Sequence, residues 1–457
     1  MKKILILSGI ILSIFLTIIF NCQQPTSSSS GGGSKNKSSA LRVIKVAAGY
    51  QYTVALFSNG TVKCWGDNYY GQLGYGDTNN RGNNPGEMGN NLPTVDLGTG
   101  KKAIQIATGS YHIVVLLDDG TVKCWGNNEY GQLGYEDTEN RGDEPGEMGD
   151  NLQIVELGFN RKAVQIAAGD FHTAVILEDG NVKCWGYNYS GQLGIGTTNN
   201  LGDNPGEMPN NSIYDVSFSS STPIQIAAGY GHTVVLLDNG TVKCWGYNVA
   251  GQLGYGNTNN IGNTPFSTST LPAVDLGTGR TAVQIAAGSE FTAVLLDNGT
   301  VKCWGRNNYG QLGYGDTNNK GDNSGEMGDS LQAVDLGTGR TTVQIAAGSD
   351  HTVALLNDGN VKCWGYNNYG QLGYGDTNNK GDNPGEMGDA LPTVYLGAGR
   401  TVMQIAAGSY HTIAFLDDGT VKCWGYNNYG QLGYGDTNNK GDGSGEMGDN
   451  LPVVDLW

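Results

Sequence analysis

The chain has 457 residues, 74 of them glycine, and a net charge of −17 from 43 acidic and 26 basic side chains. Glycine at this density without a Gly-X-Y period excludes collagen, and it argues against a helical bundle because each interior glycine costs a helix about 1 kcal/mol. The acidic balance argues against a nucleic-acid partner, which needs a basic footprint.

Lys2 and Lys3 precede a mostly apolar run from Ile4 to Phe20, followed by Asn21 and Cys22. A charged start, an apolar stretch and an early cleavage point predict an export signal over residues 1–21. The position of Cys22 resembles that of a bacterial lipoprotein signal, in which the cysteine becomes the lipidated first residue. An uncleaved anchor is the alternative, since the run is nearly long enough to span a bilayer. Residues 22–40 are rich in Ser and Gly and predict a flexible tether with a span of roughly 25 Å. The expected location is the cell envelope, with the membrane reached through the N-terminal lipid.

From residue 41 to 457 one unit is written seven times. Val-Lys-Cys-Trp-Gly recurs with its cysteine at 64, 124, 184, 244, 303, 363 and 423, a period of about 60 residues. A period of this kind signals a repeat architecture. Each unit opens on a segment such as Val283–Gly288 and continues into an apolar run such as His351–Leu356. An Asn-Gly or Asp-Gly turn then precedes the Val-Lys-Cys-Trp-Gly phrase, a strong hairpin signal. A long polar excursion follows, then a short closing segment such as Leu451–Leu456. Four short strands per unit and no helical periodicity predict an all-β fold, a seven-bladed β-propeller of four-stranded blades. Neither terminal unit reads as a solenoid cap, so the ring is expected to close by pairing of the chain ends.

The stretch GSYHTIAFLDDGTVKCWGYNNYGQLGYGD, residues 408–436, closely resembles the regulator-of-chromosome-condensation repeat. The resemblance covers Arg42 to Trp457 and implies the seven-bladed propeller of that family. Its members include a nucleotide-exchange factor, a plant ultraviolet-B photoreceptor and a secreted bacterial inhibitor of β-lactamases, so the resemblance implies a fold more than a function. Some bacterial relatives pair the repeated cysteine with a second one two residues after the His position. Here those places hold Val54, Val114, Ala174, Val234, Ala293, Val353 and Ile413, so that disulfide is missing from every unit. The photoreceptor's tryptophan-bearing phrase is likewise absent, as at Gly229-Tyr-Gly-His232.

The five histidines, 112, 172, 232, 351 and 411, all stand twelve residues before a repeated cysteine, and Tyr52 and Phe291 take that place in the other two units. Replacement by aromatics, and separation around a ring, point to packing rather than catalysis. The cysteines read as buried free thiols and the tryptophans as blade core. The excursions together hold 23 acids and five bases, nearly the whole charge of the repeat region. They are expected to form an acidic crown on one face that steers a cationic partner. Their Asp-x-Asn pattern, at Asp316 and Asn318, Asp376 and Asn378, and Asp436 and Asn438, is a near-miss to a calcium loop. Lys380 stands at position 5 of that loop, where an oxygen ligand belongs, and ordinary turn chemistry explains the same residues.

A second variable set lies between the Gly and His positions: Tyr50, Tyr111, Phe171, Tyr230, Glu290, Asp350 and Tyr410 belong to it. Aromatics mixed with polar residues suit a recognition surface. Tyr214 and Phe266, in the two units that depart most from the pattern, are further binding candidates. The function expected from these features is a monomeric, non-enzymatic protein-binding platform at the envelope, using the acidic loop face, with inhibition of a target as one form. The alternatives are a calcium-dependent adhesion module and a carboxylate-based glycan hydrolase.

Overall fold

The computed structural model describes residues 41–208, 215–218, 221–264 and 271–457. Residues 1–40, and with them the signal, Cys22 and the tether, lie outside the described residues, as do Tyr214 and Phe266. Residues 41–457 form one compact unit.

Seven antiparallel sheets follow one another along the chain, each built from three consecutive strands. In the first blade β1 is Val43–Ala48, β2 is Tyr52–Phe57 and β3 is Val62–Gly66. The last blade repeats this with β19 at Val402–Ala407, β20 at His411–Leu416 and β21 at Val421–Gly425. The reason for this order lies in burial. The first strand of a blade is buried only in part, because one side faces the central channel. The second is buried along its length and carries the β-branched and leucine residues that a strand covered on both faces requires. The β2–β3 turn depends on Gly60, whose φ of +85° suits glycine and whose Cβ, if present, would lie 2.6 Å from Lys102 Cβ.

The predicted fourth strand is a segment held by one backbone bond in six blades and by a two-bond bridge, Val182 with Val216, in the third. Val95 N–H donates to Val62 O at 2.8 Å, and Val454 N–H to Val421 O at 2.8 Å. The segment alternates in burial, with Leu92, Val95 and Leu97 turned inward. A single-turn 3-10 helix such as Gly89–Asn91 precedes it.

The core lies between blades. One cluster joins Val54 and Val62 of the first blade to Ile113, Val115 and Trp125 of the second. Each repeated indole donates to the backbone of the preceding blade, as Trp125 Nε1 does to Gln72 O at 3.1 Å. The buried Lys123 spans the same seam, donating to Leu97 O at 3.0 Å and Gly149 O at 2.7 Å.

The seventh seam uses the same parts. Trp65 Nε1 donates to Gln431 O at 3.0 Å, and Lys63 Nζ to Leu456 O at 3.1 Å. Gly89 N–H donates to Asp455 O, and Trp457 stands edge-on to Phe57. The ring therefore closes by packing and by side-chain and backbone bonds between whole blades; the expected pairing of the chain ends takes this form, without a sheet shared between the first and last blades. Every sheet is already complete from consecutive strands, so among the described residues no strand is left over to share.

Candidate functional site at the channel mouth

Between the first and second strands of each blade the chain turns in three residues, such as Gly49–Gln51. These turns gather at one end of the channel. Backbone bonds run from blade to blade there: Tyr50 N–H to Ser110 O, Tyr230 N–H to Ser289 O, Ser289 N–H to Ser349 O and Ser409 N–H to Gly49 O. The glycine that opens each turn is needed for close approach. A Cβ on Gly109 would lie 2.3 Å from the His112 ring and 2.5 Å from Gly169 O. A cavity of about 270 Å³ lies inside this belt, with Tyr50, Ser110, Asp170, Ser289, Ser349 and Ser409 among its lining residues.

The mouth has two unlike sides. On one, Tyr50 packs against Tyr111 at 5.3 Å and Tyr410 at 5.4 Å between ring centroids. Phe171 continues the arc, 6.4 Å from both Tyr111 and Tyr230. The other side is acidic, with Glu290 and Asp350. Arg306 pairs with Glu290 at 3.2 Å, and Gln311 Nε2 donates to Asp350 Oδ1 at 3.0 Å. Asp170 lines the cavity and is hydrogen-bonded by Ser110. Enclosure raises its pKa to about 6, with the Asp350 and Glu290 charges adding to the rise. Enclosure also pushes Asp350 up, against the opposing effect of Arg306.

The structure thus brings together Tyr50, Tyr111, Phe171, Tyr230 and Tyr410 as one aromatic arc, with Glu290 and Asp350 completing the rim. A second tier had no counterpart in the sequence reading. Tyr70 packs on Tyr111 at 5.2 Å, Tyr130 on Phe171 at 5.5 Å and Tyr369 on Tyr410 at 5.4 Å. The residue after each Val-Lys-Cys-Trp-Gly phrase joins the rim through one repeated bond, as Tyr187 N–H to Phe171 O and Arg306 N–H to Glu290 O. Its variation from Asp67 to Tyr187 to Arg306, beside neighbours that repeat, was the available signal.

The other candidates sit elsewhere. Every histidine is fully buried, and each places Nε2 near a threonine hydroxyl of the next blade, as His112 does with Thr173 at 3.0 Å. Burial lowers the histidine pKa values, to about 3 for His112 and about 4 for His172. The seven described cysteines are free and buried, and burial pushes their thiols up.

The excursions do not form a crown on one face. Gly66 pairs with Arg81 at one end of β3, whereas Val95 bonds to Val62 at the other end, so each excursion runs down the outer edge of its blade. Its acids are spread along that edge and are occupied locally. Asp316 Oδ1 accepts from Asn318 N–H at 2.8 Å and Asn307 Nδ2 at 3.2 Å, and Lys320 lies 3.3 Å from Oδ2. Asp376 takes the same bonds from Asn378 and Asn367, and Asp436 from Asn438 and Asn427. Glu386 Oε2 accepts from Gly381 and Asn383 N–H. Among the described residues no group of three or more His, Cys, Asp or Glu is placed to hold a metal ion.

Comparison with known proteins agrees with this architecture. The RCC1-like domain matches residues 210–446, and the regulator of chromosome condensation (RCC1) repeat matches residues 59–116, 119–176 and 179–236. The chain is 30% identical over 399 residues to the ultraviolet-B receptor UVR8 of Arabidopsis thaliana, covering 87% of this chain and 80% of that one. It is 32% identical over 380 residues to the probable E3 ubiquitin-protein ligase HERC4 of Rattus norvegicus. That match covers 82% of this chain but only about a third of the ligase, 32%. Yeast RCC1 (Prp20), in its crystal structure bound to Kap60, superposes with a TM-score of 0.60 at 21% identity, over 91% of this chain and 89% of that one. Seven repeats, seven sheets and these matches together show that the chain belongs to the family of regulator of chromosome condensation (RCC1) repeat propellers.

Proposed function

We propose that this chain is a non-enzymatic platform that binds another protein through the channel mouth and is held at the cell envelope by a lipid on Cys22. The observation that carries the reading is a contrast within the repeat. The tryptophans, buried lysines and threonines between blades recur with little change. The rim residues differ from blade to blade and assemble an aromatic arc facing an acidic one. Clustered tyrosines with satisfied polar neighbours supply rigid contact area at low entropic cost. Relatives support the general role, since yeast RCC1 was crystallised bound to a second protein, Kap60. Blocking a target is one form that such binding takes. The charge of the outer edges adds long-range steering toward a cationic partner.

The test is capture from envelope extract with the full chain, compared with a Tyr111→Ala/Tyr410→Ala variant. Loss of a specific protein from the variant supports the reading, and identical capture opposes it. Cys22→Ser should move the chain out of the membrane fraction.

Neither alternative gains a comparable observation. A glycan hydrolase needs two carboxylates whose environments push them apart, and here enclosure moves Asp170 and Asp350 in the same direction. The Asp-x-Asn pattern is taken up by turns that cap their own backbone.

A further inference from the structure

Resting on the platform reading, we infer that the channel mouth receives a basic side chain, lysine or arginine, carried on a protruding loop of the partner. Three features converge on this chemistry. The first is an imbalance of charge. Asp170 lies in the cavity wall with Asp350 and Glu290 acting on it as like charges, and Arg306 is already engaged by Glu290 at 3.2 Å. Lys45, a cation on the first strand of the first blade, stands four residues along β1 from Gly49, roughly 13 Å of strand. A cation placed among the three carboxylates relieves their mutual repulsion, and the enclosed site strengthens that attraction relative to open water.

The second feature is the aromatic arc. Tyr50, Tyr111, Phe171, Tyr230 and Tyr410 line the entrance opposite the acids, a setting that accepts the methylene stem and attracts the charged head of a long basic side chain. The third is a set of unused donors. Gln192 Nε2 is fully buried and has no hydrogen-bond partner. It faces Gly231, the rim residue without a side chain, and a Cβ there would lie 3.8 Å from it. Nε2 of Gln252, Gln371 and Gln431 is likewise buried without a partner, while each Oε1 accepts a backbone N–H. Buried amide donors of this kind match backbone carbonyls of an inserted loop.

The probes are capped pentapeptides of four glycines with a central lysine, arginine, norleucine or glutamate, titrated into the full chain by calorimetry and ligand-observed NMR. Lysine and arginine peptides should bind at least about tenfold more tightly than norleucine, and the difference should shrink between about 20 mM and about 500 mM salt. Asp170→Asn combined with Asp350→Asn should cost about tenfold for the basic peptides alone. Asp382→Asn with Asp442→Asn, on the outer edges, should change nothing. Near-UV circular dichroism checks that the variants fold, and if Asp170→Asn does not, Glu290→Gln with Asp350→Asn takes its place.

Equal binding of norleucine, binding of glutamate, no binding of any peptide, or an equal loss from the outer-edge variant would each overturn the inference. The two readings separate cleanly. A protein partner captured undiminished by the Asp170→Asn/Asp350→Asn variant removes the basic-side-chain inference and leaves the platform intact. A partner indifferent to Tyr111→Ala/Tyr410→Ala removes the platform itself.

Discussion

Nε2 of His411 lies 2.9 Å from Oγ1 of Thr53, a bond that joins the last blade to the first. The threonine hydroxyl donates its proton to Gln431 O at 2.8 Å, so the ring nitrogen must be the donor. Nδ1 of His411 is buried without a partner to take a second proton's bond, and burial lowers the ring's pKa, so the imidazole is neutral with its proton on Nε2. The same arrangement recurs at His172 with Thr233 and at His351 with Thr412.

These neutral histidines set an acid limit on stability. Burial holds His411 at about 3, with His351 adding to the depression. Its ordinary value in the unfolded chain is about 6.5. Below that pH the unfolded state binds a proton that the native state refuses, so stability present above pH 6.5 is lost as the pH falls toward the folded value. With five such residues, unfolding at pH 5 should take up about five protons from histidine alone. Denaturant titrations from pH 8 to 4 read the slope, and His411→Phe, which borrows the residue at position 291, should lower it by about one proton.

The glycines beneath these rings should tolerate nothing larger. A Cβ on Gly348 would lie 2.3 Å from the His351 ring and 2.4 Å from Gly408 O. Gly348→Ala should destabilise by about 3 kcal/mol or fail to fold, whereas Gly385→Ala, with open space around it but a φ of +81°, should cost about 1 kcal/mol. Urea midpoints compare the two.

Closure of the ring can be weakened at one side chain. Lys63 Nζ donates to Gly89 O at 2.8 Å and to Leu456 O at 3.1 Å. Lys63→Met keeps the stem and leaves both carbonyls without this donor, which should cost about 1–3 kcal/mol. Hydrogen exchange should quicken first in β1–β3 and β19–β21, and uniform exchange across all blades would contradict this role.

The repeated thiols should be inert until the blades open. Cys124 is fully buried in the seam core, and desolvation pushes its thiol up. A thiol reagent at pH 8 should leave the seven blade cysteines unmodified in the folded chain and reach all of them in guanidinium.

At the rim, Arg306 opposes the rise in the Asp350 pKa. Arg306→Ala should make Asp350 titrate at higher pH, as read from its carboxyl carbon shift, and an unchanged midpoint would mean that the two groups do not interact.

By itself the sequence determined the blade count, the class of the fold and the packing role of the histidines. A period of about 60 residues with one Cys-Trp per unit is local information repeated seven times, and each copy reports the same two hairpins. The turn residues Tyr111, Phe171 and Tyr410 were also visible, because they vary beside neighbours that do not. Three things waited for the tertiary structure. The interblade lysines carried no signal of their role, which rests on carbonyls of two blades: Lys123 reaches Leu97 O in the closing segment of one and Gly149 O in the excursion of the next. The excursion acids looked like one charged face, because composition reports charge but not the path of a loop along an outer edge. The rim was split between two segments of each blade, the turn carrying Phe171 and the residue Tyr187 sixteen positions later. Only closure of the ring sets those segments beside their counterparts in the next blade, since the ring contacts of the aromatic arc cross seams that no single repeat contains.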